Sequence, residues 1–280
     1  MTIGPDERNS SSDLADTLRK LRRAAGLSGE RLAARCAMSQ SRISRIESGR
    51  QLPTVVDVDR ILKALEVPAE SAAELLALTR KANVEHTSWR AVAEIGIWRK
   101  QAELTALAES CQVQRQFLPS MLCGLLQVPE YARVALSPMV DTDPDRNIDR
   151  ALEVRLERQK VLEDESRTFI FLLAEQAVYW RHVERPVMAR QCEHLANVAQ
   201  RPNVDLHILP ISAGVPAATL CTYMIYDNRL VVAELISGEV ALYDPKDIDH
   251  HRSVFDYYLK HSLGGSRATA FLLAARDEFM

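Results

Sequence analysis

The chain has 280 residues, 47% of them hydrophobic and 26% charged, with a net charge of −3. That length predicts two domains, and the apolar content is enough for a sizeable core, which excludes a disordered or fibrous chain. The overall charge excludes a protein basic throughout, but the balance is uneven: residues 13–50 hold nine Lys/Arg against four Asp/Glu, a basic module on an otherwise acidic chain.

Residues 1–12, with Ser10-Ser11-Ser12, read as a disordered lead. Asp13 is placed to cap a first helix over about Leu14–Ala25, with Leu14, Leu18 and Leu21 on one face and Gly26 as its stop. Lys20, Arg22 and Arg23 cluster on other faces, where contact with phosphates and simple solvation are both open. A second helix is predicted over Glu30–Arg35, then a turn at Cys36-Ala37-Met38. Ser39 can cap a third helix running to about Ser48, because its hydroxyl can accept from an unpaired backbone N–H, and Gly49 suits the left-handed residue after it.

Ile43 and Ile46 lie three apart and anchor that third helix, leaving Gln40, Ser41, Ser44 and Arg45 on its other faces. Gln can grip adenine and Arg guanine through paired hydrogen bonds, whereas Arg42 and Arg50 are better placed for phosphates. The spacing predicts a DNA-reading helix-turn-helix; the plainer alternative is a small helical bundle with a solvated basic face. Thr54 and Asp57 form a capping-box-like start to a fourth helix that buries Val58, Ile61, Leu62 and Leu65. Pro68 suits the first turn of a fifth, with Leu75, Leu76 and Leu78 as its apolar side, closing the module at residue 82.

Residues 14–66 resemble the helix-turn-helix of the XRE, or phage-repressor-like, family. Ser39-Gln-Ser-Arg-Ile-Ser-Arg-Ile-Glu-Ser-Gly-Arg-Gln-Leu-Pro53 follows that family's S-x-x-x-I-S-x-I-E-x-G-x-x-x-P pattern. Gly29 departs from it, standing where many members carry a phosphate-gripping Gln.

Beyond a polar connector at Asn83–Ser88, the sequence predicts a helix over Trp89–Glu109. Its Ile97, Trp98, Gln101, Leu104 and Ala108 side would pack on the second domain or on another copy. Strand candidates follow at Val113–Phe117, Thr168–Leu173, Val204–Leu209, Leu220–Tyr226, Leu230–Ile236 and Val240–Tyr243. Helices are predicted near Pro129–Leu136, Ile148–Asp164, Pro186–Gln200, Lys246–Leu263 and Ser266–Phe279. The expected architecture is α+β: a disordered segment at 1–12, a five-helix DNA-binding domain at 13–82, and a mixed α/β domain at 83–280 with a sheet of four or five strands.

The second region also resembles a known domain. Its landmarks are Gly124-Leu-Leu-Gln127 with Glu130-Tyr-Ala132, Arg155-x-x-Arg158-Gln159, Ala174-Glu-Gln-Ala-Val178, Pro202–Pro210 and Val231-Val-Ala-Glu234. In that order they are similar to the effector-like, antitoxin-like domain of the Scr1 family that follows an XRE helix-turn-helix in actinomycete regulators. The resemblance implies a small companion protein docking on this domain. Cys123 stands where members usually carry Pro.

No H-E-x-x-H, G-x-S-x-G, glycine-rich phosphate loop or zinc spacing occurs, so no enzyme, cofactor or metal is expected. The Asp spacing at 141–145 is like a calcium loop but lacks the later ligands. Five cysteines without a C-x-x-C pair predict free thiols in a reducing cytoplasm, and neither a signal peptide nor a membrane span is expected. Glu234 in an apolar strand needs a partner, and Arg155 or Arg158 is expected to form a salt bridge with it. Alternatively these residues, with Glu175 and Tyr179, line a ligand or partner site. The expectation is a cytoplasmic, nucleoid-associated, dimeric regulator of transcription on double-stranded DNA, its second domain read by a companion protein or by a small molecule.

Overall fold

A computed structural model of the protein describes residues 5–137, 147–215 and 221–280, so the acidic turn at 141–145 lies outside the described residues. The chain divides into two compact units, residues 1–85 with 242–245 and residues 86–241 with 246–280.

The first unit is helical: α1 Pro5–Ala24, α2 Gly29–Arg35, α3 Gln40–Glu47, α4 Val55–Ala64 and α5 Ala69–Ala82. Leu14, Leu18, Leu32, Ile43, Ile46, Val58, Ile61 and Leu62 converge in one core, each at most 3% exposed. The expected 3.6-residue stripes are thus the buried ones, except that Leu78 is 54% exposed on α5. The backbone is helical from Pro5, so Asp13 lies inside α1 and not ahead of it as a cap. Proline's fixed φ suits a first helical turn, and no Gly or Pro interrupts residues 6–25. Thr54 and Asp57 do form the reciprocal capping box on α4, at 3.0 and 3.1 Å.

In the chain that follows come β1 Val84–Ser88, α6 Trp89–Ile95, α7 Ile97–Ser110, β2 Val113–Leu118, α8 Pro129–Leu136 and α9 Ile148–Arg158. Next are β3 Thr168–Ala174, α10 Glu175–Tyr179, α11 Arg185–Val198, β4 Val204–Leu209, β5 Tyr223–Tyr226 and β6 Leu230–Leu235. The last elements are β7 Gly238–Leu242, α12 Pro245–Lys260 and α13 Ser266–Phe279. The sheet order is β1-β7-β6-β5-β2-β3-β4, seven strands where four or five were expected. β2, β3 and β4 run parallel, with Val113 opposite Thr168 and Phe169 opposite Val204; β5 turns antiparallel against β2 and β6.

β1 stands where the sequence predicts a polar connector. It is an edge strand, and an edge can be polar because one side meets no neighbour. Gly238 makes room for it: a Cβ there would collide with the Thr87 carbonyl oxygen. The single helix expected over Trp89–Glu109 is two helices, broken at Gly96 with φ +103°. Only glycine adopts that backbone readily. Past the break, α7 packs on α9, where Ile97, Trp98, Ile148 and Leu156 pack against the buried Ala132, Leu136, Ala151 and Leu152, and the Arg150 guanidinium lies 3.5 Å from the centre of the Trp98 ring.

Strand period places unlike side chains on the two faces of β2. Phe117 stacks on Tyr258 of α12, ring centres 5.2 Å apart. From the other face Gln114, Gln116 and Leu118 line a cavity together with Met224 and Tyr226 of β5 and Glu234 of β6.

Candidate nucleic-acid interface

The α2–turn–α3 segment is set by local rules. Ser28 and Ser39 cap their helices, their hydroxyls accepting from Arg31 N and Arg42 N at 3.2 Å each. α3 ends with Gly49 at φ +68°, while Gly49 N donates to Ile46 O and Arg50 N to Arg45 O, the Schellman arrangement that satisfies the last carbonyls. Ile43 and Ile46 are 1% and 0% exposed, so one side of α3 is fixed inward. Gln40, Ser41, Ser44, Arg45 and Arg50 are exposed. Gln40 with Ser44, and Ser41 with Arg45, form two adjacent i, i+4 ridges. Ser41 meets the Ser39 hydroxyl at 3.1 Å.

Arg42, expected to meet a phosphate, makes a bond inside the protein. Its Nη2 donates to Asp57 Oδ2 at 2.8 Å, and the same oxygen accepts from Thr54 N, so Arg42 fastens α3 to the cap of α4. Arg22 is also committed. Its guanidinium holds both carboxylate oxygens of Glu47 at 2.6 and 2.7 Å, with side chains only 15% and 9% exposed. The carboxylate raises the Arg22 pKa above its usual range. Arg19 adds a bond to the Glu47 carbonyl. Sequence reading gave Glu47 no role. The available signal was a carboxylate one residue after a buried isoleucine, in a segment otherwise rich in arginine.

Of the second-unit candidates, three come together and two do not. Arg155, Arg158 and Glu234 line the cavity on the Gln114–Gln116 face of the sheet. Glu175 instead accepts from Ile211 N at 2.8 Å, and the Tyr179 hydroxyl donates to Glu278 at 3.1 Å. The expected salt bridge is absent: among the described residues no carboxylate lies within 4 Å of either arginine, and Arg155 spends its bonds on Gln101 and Gln127, at 3.1 and 2.7 Å. Burial pushes the Glu234 pKa up to about 7, and the nearby Glu239 adds to the shift, against Arg155, Lys100 and Arg158.

The two landmark motifs form one structure. Gln159 donates to the carbonyls of Gly124 and Gln127 at 2.9 and 2.7 Å, closing the turn over the two arginines. Outside this region His207 bridges Asp205 and Ser262 at 2.7 and 2.9 Å, an alignment that sequence spacing did not reveal. The Ser262 hydroxyl also lies 2.6 Å from the Leu259 carbonyl, tying the 259–263 turn to β4, where Leu263 and Ile208 exchange backbone bonds.

A helix-turn-helix domain family matches residues 13–75. A second family, described as Domain of unknown function (DUF5753), matches residues 101–274. No curated protein matches the chain. Among solved structures, the phospholipase D family member Nuc from Salmonella typhimurium is similar at 14% identity, over 59% of this chain and 90% of that one, with a TM-score of 0.32. The archaeal chromatin protein TrmBL2 is similar at 13% identity, over 73% of this chain and 65% of that one, also with a TM-score of 0.32. Both are too distant to bear on fold or function. No helix among the described residues is long and apolar enough to cross a membrane. The 101–274 match spans most of the chain, which therefore belongs to the family of the Domain of unknown function (DUF5753) and carries a helix-turn-helix domain ahead of it.

Proposed function

We propose that the protein is a sequence-specific, DNA-binding transcriptional regulator of the XRE type, dimeric, non-enzymatic and resident with the nucleoid in the cytoplasm. The observation that carries this reading is the outer side of α3, where Gln40, Ser44 and Arg45 are exposed and their side chains make no hydrogen bond or ion pair within the described residues. An amide and a guanidinium presented this way match adenine and guanine edges in the major groove. Two such helices, one per protomer, would enter half-sites of an inverted repeat about one helical turn apart.

Selection on random duplexes tests this. The expected product is an inverted repeat, and Arg45→Ala should weaken it by about 1–3 kcal/mol at one position while relaxing base preference there. Equal binding to all duplexes, or an unchanged preference in Arg45→Ala, would overturn the reading.

For the second unit the reading is an antitoxin-like domain of the actinomycete type, docked by a small companion protein. Exposed Trp180, Ile211 and Ile236, at 52, 78 and 97%, are the kind of apolar anchors such docking uses. A stoichiometric mixture with the neighbouring small protein should associate and alter operator binding. The second reading, a domain that senses a small molecule, is favoured by the cavity that Arg155 and Arg158 line.

A further inference from the structure

We propose that the cavity between α9 and the β2–β5–β6 face of the sheet binds a small oxyanion, a carboxylate or a phosphate group gripped by Arg155 and Arg158. The proposal rests on the small-molecule reading above, but it is tested without DNA, so the two fail separately.

The cavity measures about 100 Å³. One water needs roughly 10–15 Å³ on that scale, so there is room for a molecule of several heavy atoms. Its roof is cationic. Arg158 is 6% exposed, and among the described residues its Nε and Nη1 find no hydrogen-bond partner. A buried guanidinium with unused N–H groups and no counter-ion among the described residues is costly, and an oxyanion satisfies both needs through paired hydrogen bonds. Arg155 is aimed by two neutral amide oxygens, which orient it without neutralising it. Burial, and then the charge of Arg158, pull the Arg155 pKa down to about 10.

The roof is also built in advance. Gly124 faces both guanidiniums, and a Cβ there would collide with Nη2 of Arg158. On the floor, Gln114 and Gln116 are buried on a central strand, with side-chain carbonyls that accept no hydrogen bond among the described residues. Those carbonyls suit a ligand that also donates: a hydroxy- or amino-carboxylate, or a protonated phosphate.

Among the described residues Glu234 is the carboxylate lining this site. The charged and titratable groups around it are Arg155 and Arg158 of α9, Lys100 of α7, Glu239 of β7, and the neutral Cys123, Cys221 and Tyr226. Lys100 is already paired with Glu239 and lies 3.2 Å from Glu103. Ionised Glu234 would compete with the ligand for the arginines and protonated Glu234 would not, so affinity should fall as pH rises through about 7.

The test is thermal unfolding of the full chain with inorganic phosphate, glycolate, lactate, glycerate or glycine, against chloride at matched ionic strength, at about pH 6 and about pH 8. The responding probe shows whether the group is a phosphate or a carboxylate. A saturable rise in Tm of roughly 5–10 °C at a hundred times Kd is expected, and with a carboxylate probe it should be larger at the lower pH. Arg158→Met should fold with an equal or higher Tm and lose that response. With a carboxylate probe, whose own charge is constant over this range, Glu234→Gln should respond equally at both pH values, and a Glu234→Gln response that still shrinks at the higher pH overturns the proposal even if Arg158→Met fails to fold. No saturable rise with any probe, or a rise that Arg158→Met retains, overturns the proposal.

Discussion

Arg22, Arg42 and Arg45 belong to one basic segment, yet each answers to a different neighbour. Arg22 faces Glu47 in a two-pronged pair that is largely covered, Arg42 faces the capping carboxylate of Asp57, and Arg45 faces solvent. Removing one partner of a covered pair leaves the other charge uncompensated. Glu47→Gln should therefore cost about 2–3 kcal/mol of stability, read as a lower urea midpoint at unchanged slope. Arg42→Ala, whose side chain is 36% exposed, should cost about 1 kcal/mol. Arg45→Ala should leave stability within about 0.5 kcal/mol. If Arg45→Ala instead destabilises as much as Glu47→Gln, its outward placement on α3 is wrong. Sequence alone could not rank these arginines, because helical phase says which side of a helix a residue is on and not what the next helix offers it.

Four helices of the first unit end alike. After α1, α2, α3 and α4 a left-handed residue follows, at Gly26, Ala37, Gly49 and Glu66, and the next backbone N–H reaches back five residues. Two of these positions carry the residue the conformation favours and two do not. A side chain in the left-handed region costs roughly 1–2 kcal/mol, offset in part by the greater freedom glycine loses on folding. Ala37→Gly should therefore stabilise by about 0.5–1 kcal/mol, and Gly26→Ala should destabilise by a similar amount. Nothing lies within 4 Å of a Cβ at Gly26, so only the backbone is changed there. Equilibrium unfolding of both variants checks this, and shifts of the same sign would refute the shared geometry. The helices themselves were legible in the sequence because caps and 3.6-residue stripes are local. Gly96 was legible only as a residue; that it turns the chain between two helices depends on the surface α7 has to reach.

At the scale of the molecule, the parallel strands β3 and β4 were readable as apolar or alternating runs, whereas the number of strands was not, since β1 is polar and owes its place to the neighbour Gly238 admits. The same holds for the cavity. Arg155, Arg158 and Glu234 stand out in the sequence singly, as charges in apolar surroundings, and the most economical link between them is a direct ion pair. The fold instead puts neutral glutamines against the arginines and leaves Glu234 half-buried with a raised pKa. A carboxyl that binds its proton more tightly when folded weakens the fold once it must ionise. That penalty grows as pH rises from the unfolded value of about 4.5 to about 7, then levels off. His182 and His194 act in the opposite sense. Burial lowers their pKa values, so stability is lost below about 6.5 as the unfolded chain takes up protons. The wild-type profile mixes these trends, and the difference between wild type and Glu234→Gln isolates one of them. Glu234→Gln should be the more stable protein at about pH 8, and its advantage should shrink as pH falls through 7 and vanish near 4.5. An advantage that stays constant across that range would mean that folding leaves the Glu234 pKa unshifted, and would refute the raised value.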